Sequence, residues 1–269
     1  MIPRDPRAEA LAKQVGPVGL GLRAVEYALT YTRLGRVLTD SPPPVVRATG
    51  RGYRVLTRTV VHGARSLGSS AFTDADPFAL RWVDPNRIVR VERESPQTFG
   101  VVVGGEWDRS SDRFDDRPIP RSIRARLLEG RPWSETPYFE RLCTDRGRAS
   151  ARRWGTSVDR LAERIESEGY LTQAVLFERD PERAIEANTE AVCPRLNEIG
   201  VSIARDGDLL WRHRGQHRLA VARALGIKTI PVLVLSRHER WQAFRDRIRE
   251  SGRIPDRYED HPDLRSISS

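Results

Sequence analysis

Lysine and cysteine, two of each, are scarce in this 269-residue chain. Of its 46 basic residues only Lys13 and Lys228 are lysine, so the net charge of +9 at pH 7 is carried almost wholly by arginine. GC-rich codon usage is the plainest origin of such a bias. Its physical consequence stands either way: planar guanidinium forks pair bidentately with carboxylate and phosphate. Two cysteines, Cys143 and Cys193, make no disulfide framework, which suits a reducing compartment. No apolar run approaches the roughly 20 residues of a membrane-spanning helix. The start, MIPRDPRAEA, has no apolar stretch of the kind a secretion signal carries. Repeats and heptad arrays are missing too. What is left is a globular chain, 38% hydrophobic and 31% charged, expected to be cytoplasmic and free of transmembrane segments.

The charge is unevenly placed. Residues 1–72 hold 11 Arg and Lys against 4 Asp and Glu, a net of +7. Within them VGLGLRAVEYALTYTRLGRVL (18–38) predicts a basic amphipathic helix, with Arg23, Glu26, Thr30 and Arg33 as its outward polar stripe. SPPPVV at 41–46 stops it. GYRVLTRTVVHGARSLGSS then alternates briefly before a small-residue turn. Three roles fit the 18–38 helix: packing on the rest of the chain, contact with the anionic inner face of a membrane, or non-specific attraction to nucleic acid. A boundary is expected near residue 72. It separates a basic N-terminal extension (1–72) from a domain at 73–251. The stretch 252–269 has little apolar content and is expected to be an unstructured tail.

The domain reads as α+β. ALRWVDPNRIVRVE (79–92) gives two extended pieces around Asp-Pro-Asn, and FGVVVGG (99–105) a further strand. Residues 119–143 look helical with breaks at Pro132 and Pro137. SVDRLAERIESEGYL predicts a helix capped at Ser157 and ended by Gly169. QAVLF (173–177) reads as a short buried strand, and 181–189 as a helix. IGVSIARDGDLLWRH is a hairpin around Asp206-Gly207. A helix at 216–225, a strand at 229–235 and a surface helix in ERWQAFRDRIRES follow.

RHRGQHR (212–218) is the densest basic stretch: Arg212, His213, Arg214, His217 and Arg218 surround Gly215. It reads as strand, glycine turn, helix. A helix start offers unpaired N–H groups and partial positive charge. A glycine lets the backbone approach a ligand. Arg212, Arg214, Gly215, Gln216, His217 and Arg218 are therefore the candidate phosphate-binding residues. Arg212 and Arg214 share one face of the strand, Trp211 and His213 the other. His213 and His217 stand at i, i+4, but the glycine between them breaks the helix that zinc would require.

GQHRLAVARALGIKTIPVLV resembles the G-x-[HR]-R-x-x-A-x-x-x-x-G-x-x-x-[IV]-P-V stretch of the ParB/sulfiredoxin superfamily. WVDPNRIVRV is similar to that superfamily's first strand, and VDRLAERIESEGYLTQAVL to its helix–strand unit. The likeness covers roughly residues 79–236. It implies a mixed sheet flanked by helices and a nucleotide phosphate at the strand–glycine–helix turn. ATP, ADP or CTP would be bound, with Mg²⁺ as companion. Departures narrow the activity. Gln216 stands where sulfiredoxins carry their cysteine. Arg214 stands where the kinase branch has aspartate. No helix-turn-helix pattern of the ParB kind follows the last strand.

Carboxylates complete the candidate site. Glu106 and Asp108, if extended, point the same way with Trp107 opposite, and could hold Mg²⁺ or serve as general base. Glu92 and Glu94 are rivals beside the first strand. Arg237 and His238 either join the same sheet edge or start the next helix. Cys193 has no adjacent base and reads as buried. The expected function is nucleotide-phosphate binding, with phosphoryl transfer to a small or lipid-linked acceptor catalysed by His217, Arg218 and a carboxylate among Glu92, Glu106 and Asp108. A nuclease-like or nucleic-acid-binding protein and a non-enzymatic nucleotide sensor are the alternatives.

Overall fold

The computed structural model describes residues 6–95, 98–110, 112–188, 191–265 and 267, with side chains from residue 16 onward except Leu34 and Thr39. The first five residues, and 266, 268 and 269 of the expected tail, lie outside the described residues. The architecture is α+β, one mixed six-stranded sheet between two helical layers.

The strands are β1 (Arg81–Val83), β2 (Arg90–Val91), β3 (Val101–Val103), β4 (Ile199–Ile203), β5 (Leu209–His213) and β6 (Ile230–His238). Their order is β1-β6-β4-β5-β2, and β3 also pairs with β6. β1 runs antiparallel along the first part of β6, with Val83 opposite Ile230. β3 runs parallel along its last part, with Val103 opposite His238. β4 and β5 form the expected hairpin. Its turn needs Gly207 at φ 95°, where a side chain would also strike the Trp241 ring. Every residue of β6 is buried, as befits a strand covered on both faces.

The period-two alternation of β6 divides the core. Ile230, Val232 and Val234 pack with Val201, Ile203, Leu209 and Trp211 on one face. That face is covered by α4 (Pro118–Leu127), α6 (Arg148–Glu168) and α9 (Gln216–Ala224). α5 (Pro137–Arg146) packs behind α4 and α6. Leu233 and Leu235 point the other way, toward Val46 and Tyr53 of α3 (Pro43–Ser66). On the same side Leu210 meets Val61 of α3 and Leu22 of α1 (Pro6–Tyr31). Burying a side chain such as Val46 or Val61 contributes roughly 1.5–3 kcal/mol, so residues 16–66 supply a layer of the core.

Apart from α6, which begins at Arg148 and not at a cap on Ser157, whose Oγ donates to Trp154 O inside the helix, four segments differ from the sequence expectation. The single helix of 18–38 is two: α1 stops at Tyr31, and α2 (Arg33–Thr39) begins after Thr32, whose Oγ1 accepts a hydrogen bond from Gly35 N at 3.2 Å. Glu26 does not face outward; it is buried. The segment after SPPPVV is not alternating but helical. Pro43 sits harmlessly in the first turn of α3, and Val46, Gly50, Tyr53, Thr57 and Val61 recur at three and four on its buried side. QAVLF is the start of α7 (Gln173–Arg179) rather than a strand. Thr172 Oγ1 caps it by accepting from Val175 N, and only Phe177 is buried, which is one face of a helix.

The fourth segment is the tail. Residues 252–265 are ordered by buried contacts that a hydropathy pattern does not reveal. Asp263 accepts from Arg237 (Nε 2.9 Å, Nη2 2.5 Å) and Trp241 Nε1 (3.0 Å), and lies 3.2 Å from Arg245. Leu264 is fully buried. Burial opposes the Asp263 charge, but Arg237 and Arg245 overcome it and hold the carboxyl far below its ordinary range. α10 (Glu239–Ser251) carries Trp241 and Arg245. α8 (Pro181–Glu186) lies at the start of the expected 181–189 helix.

Candidate anion-binding site

The turn 213–218 is built as strand, turn and helix, with two consecutive left-handed residues. Arg214 has φ 64° and Gly215 φ 67°. Gly215 is obligatory, because an added Cβ would lie 2.6 Å from Ile199 Cγ1. Arg214 reverses direction there, so it does not share a strand face with Arg212. Its side chain turns into the core beneath α1. Nη2 donates to Glu26 Oε1 at 2.9 Å, Nη1 to Leu196 O at 3.4 Å, and the guanidinium lies 5.5 Å from the Phe99 ring centroid. Burial raises the Glu26 carboxyl while Arg214 acts to lower it.

His217 is also turned inward. Trp154 Nε1 donates to His217 Nε2 at 2.9 Å. Burial, then the neighbouring Arg218, lowers its pKa to about 4, so the ring is neutral at pH 7. His213 is lowered to about 4 for the same reason, burial first and then Arg214 and Arg212. Gln216 is half-buried in the first turn of α9. Arg218 Nη2 donates to Asn197 O, and Nη1 stands 3.7 Å from Glu198 Oε2. Glu198 is buried, with its other oxygen accepting from Gln173 N at 2.7 Å. Burial pushes Glu198 up to about 7, against the pull of Arg218. Arg218 and Tyr170 line a small hollow between the end of α6 and α7. The sequence put these cations together around one ligand; the fold gives Arg214, His217 and Arg218 separate internal partners.

The candidate carboxylates are equally committed. Glu92 is fully buried at the end of β2. Its Oε1 accepts from Glu94 N and from Ser95 N, and its Oε2 accepts from Ser95 Oγ at 2.5 Å. Ser95, Ser202 of β4 and Ser236 of β6 form a closed ring of hydroxyl contacts at 2.9–3.0 Å. Arg212 Nε lies 3.2 Å from Glu92 and donates to Ser95 O at 2.8 Å. Glu94 is exposed.

Glu106 and Asp108 are not extended. They flank Trp107 in a 3₁₀ turn after β3, and Arg205 of the β4–β5 turn gathers both. Arg205 Nε donates to Asp108 Oδ2 at 2.8 Å and Nη2 to Oδ1 at 2.7 Å. Burial opposes the Asp108 charge, but these bonds win and hold its pKa at about 2. Neither Asp108 oxygen is open to a metal. Glu106 is exposed and pairs with Arg109 at 2.5 Å. Arg237 is drawn to Asp263, and His238 caps α10 by accepting from Arg240 N at 3.1 Å. Of the two readings for this pair, helix start holds for His238. Cys193 is buried, and burial raises its thiol.

One member of the basic stretch faces a cleft. Arg212 and Trp211 of β5 line an open depression of about 740 Å³ together with Arg93, Asp112, Arg113, Asp116, Arg117 and Arg141. Residues 112–114 reach it by pairing along β2: Val91 N donates to Asp112 O at 2.8 Å, and Phe114 N to Val89 O at 2.9 Å. Five guanidinium groups thus face two carboxylates. Asp112 is paired with Arg93 at 3.0 Å. Arg117 lies 4.8 Å over the Trp211 ring, and its Nε is buried with no hydrogen-bond partner. Burial, then the like charge of Arg93, lowers the Arg117 pKa. Arg113 is exposed and has no ion-pair partner among the described residues.

Sequence reasoning missed Arg93, Arg113, Arg117 and Arg141. The only local hint was the i, i+4 pair Arg113 and Arg117; the rest come together through strand pairing and α5. No family model, curated protein or solved structure matches the chain.

Proposed function

We propose that this protein binds a phosphate-bearing ligand, a nucleoside di- or triphosphate, in the arginine cleft beside β5. The observation that carries the reading is Arg117, a guanidinium held against Trp211 with an unsatisfied buried Nε and like-charged neighbours. An anion between Arg93, Arg113 and Arg117 relieves that repulsion. A nucleotide fits a pocket of this size. The site keeps Arg212 from the basic stretch and moves the phosphate away from the Gly215 turn, where Arg214, His217 and Arg218 have internal partners. The resemblance of residues 79–236 to the ParB/sulfiredoxin superfamily supports a nucleotide as the class of ligand, but it would place the phosphate at the Gly215 turn and not in this cleft.

Turnover in this cleft would rest on positioning and charge neutralisation by the arginines. Asp116, which has no ion-pair partner among the described residues, is the carboxylate suited to meet a Mg²⁺ carried in by the nucleotide. Glu92 and Asp108 are left as structural acids. A phosphotransferase with a small or lipid-linked acceptor and a non-enzymatic nucleotide sensor share this binding step, and phosphate release or transfer separates them.

The openness of the cleft and the net charge of +9 favour a second reading, backbone phosphate of nucleic acid. The test is a thermal-shift and titration screen of ATP, ADP, CTP and GTP with and without Mg²⁺, beside single- and double-stranded DNA. Saturable nucleotide binding stabilises the fold by about 2.7 kcal/mol at a hundredfold excess over Kd. A steep linear fall of log K with log salt, on DNA alone, replaces the first reading by the second.

A further inference from the structure

The corner between α1 and α2 is cationic, aromatic and exposed, and it owes its charge to a burial elsewhere. Glu26 is the only acidic residue between positions 10 and 39. Arg214 draws it into the core. What remains outward around Thr32 is Arg23, Arg33 and Arg36, all exposed, against the one exposed carboxylate of Asp40 at the end of α2, with Tyr27 60%, Tyr31 46% and Val37 67% exposed. The two tyrosine rings stand one helical turn apart with centroids 5.4 Å from each other. The corner is sharp because Gly35 leaves no room for a Cβ against the Leu29 backbone, and because Thr32 caps α2. Among the described residues, exposed large apolar side chains gather in these N-terminal helices, Val55, Leu56 and Leu67 of the α3 region included.

We propose that this corner seats the protein on an anionic membrane surface. Tyrosine and valine here meet an interface that is apolar at one depth and wet at another, and arginine meets lipid phosphate. No helix among the described residues is long and apolar enough to cross a membrane, so the contact is with the surface. A second copy of the chain is a poor occupant, since three arginines would face three arginines. A nucleic-acid duplex offers phosphate but keeps its bases stacked inside, and even a single strand that stacks on the tyrosines gives Val37 no apolar layer. The proposal is independent of the nucleotide cleft.

The test is co-sedimentation of the full chain with phosphatidylcholine vesicles, with and without phosphatidylglycerol. Binding is expected only with the anionic lipid, and it weakens as salt shortens the Debye length. Arg33→Gln with Arg36→Gln lowers the partition coefficient about 25-fold, roughly fivefold per arginine. Tyr27→Ser with Tyr31→Ser lowers it severalfold, while Leu128→Ser, at an exposed leucine just past the end of α4, leaves it unchanged. Melting curves establish that each variant is folded, and the arginine pair tests the idea even if the tyrosine pair is not. Equal binding to neutral vesicles overturns the proposal. So does wild-type binding by the arginine variant, or self-association in place of vesicle binding.

Discussion

Arg214 and Glu26, 188 residues apart, meet inside the protein with Nη2 2.9 Å from Oε1. One contact ties the turn before α9 to the N-terminal helix, and two expectations fall with it: Arg214 as a phosphate ligand and Glu26 as an outward residue. Removing one member leaves a buried charge unpaired, at a cost of about 3–5 kcal/mol. Arg214→Leu is therefore expected to lower the urea midpoint sharply. The double variant Arg214→Leu, Glu26→Leu should recover much of the loss, since an apolar pair of similar volume avoids both desolvation costs. Urea melts of the three proteins test this; equal loss in single and double variants contradicts it.

Glu198 supplies a pH signature. Its folded pKa of about 7 lies above the ordinary 4.5, so the folded protein holds a proton that the unfolded chain releases. The resulting stability is fully present below pH 4.5 and is lost as pH rises through 7, on the order of 3 kcal/mol in all. His213 and His217, both lowered to about 4, act in the opposite direction over much the same window. The informative quantity is thus the difference between wild type and Glu198→Gln. That difference should shift in favour of the variant between pH 5 and pH 8, followed by denaturant melts at each pH.

The C-terminal stretch should be indispensable. Asp263 joins Arg81, Arg237 and Arg245 in a site closed to water. Asp263→Ala takes away the carboxylate that Arg81, Arg237 and Arg245 share, leaving Arg245 with Asp74, and is expected to cost at least the roughly 3–5 kcal/mol of a broken buried pair. Ending the chain at residue 252 should do the same. A truncated chain that melts like wild type would show that residues 253–265 only rest on the domain.

Much of the sheet was legible. Asp206-Gly207 specified a hairpin, and Gly215 followed by an apolar period specified the start of α9. Val-rich 99–105 specified β3, and the mixed α+β class followed. The errors share one cause, dependence on distant partners. α3 is helical because Val46, Tyr53 and Val61 face the sheet, which its own residues do not announce. The tail orders around one aspartate that three far-off arginines reach. The basic stretch was visible as a cluster, but a linear reading could not tell that Arg214 and His217 would find Glu26 and Trp154. Nor could it see that Arg212 would meet Arg93, Arg113, Arg117 and Arg141.

The central claim is that phosphate binds in the arginine cleft, and calorimetric titration of ATP into three proteins tests it most directly. Each charged hydrogen bond contributes about 1.5–3 kcal/mol. Arg117→Gln is therefore predicted to weaken binding roughly tenfold or more with little change in melting temperature. Arg218→Ala, which loses its bond to Asn197 O and its approach to Glu198, should lower the melting temperature and leave the affinity of the folded protein unchanged. The reverse pattern, full affinity in Arg117→Gln and lost affinity in a folded Arg218→Ala, would contradict the account and return the phosphate to the glycine turn.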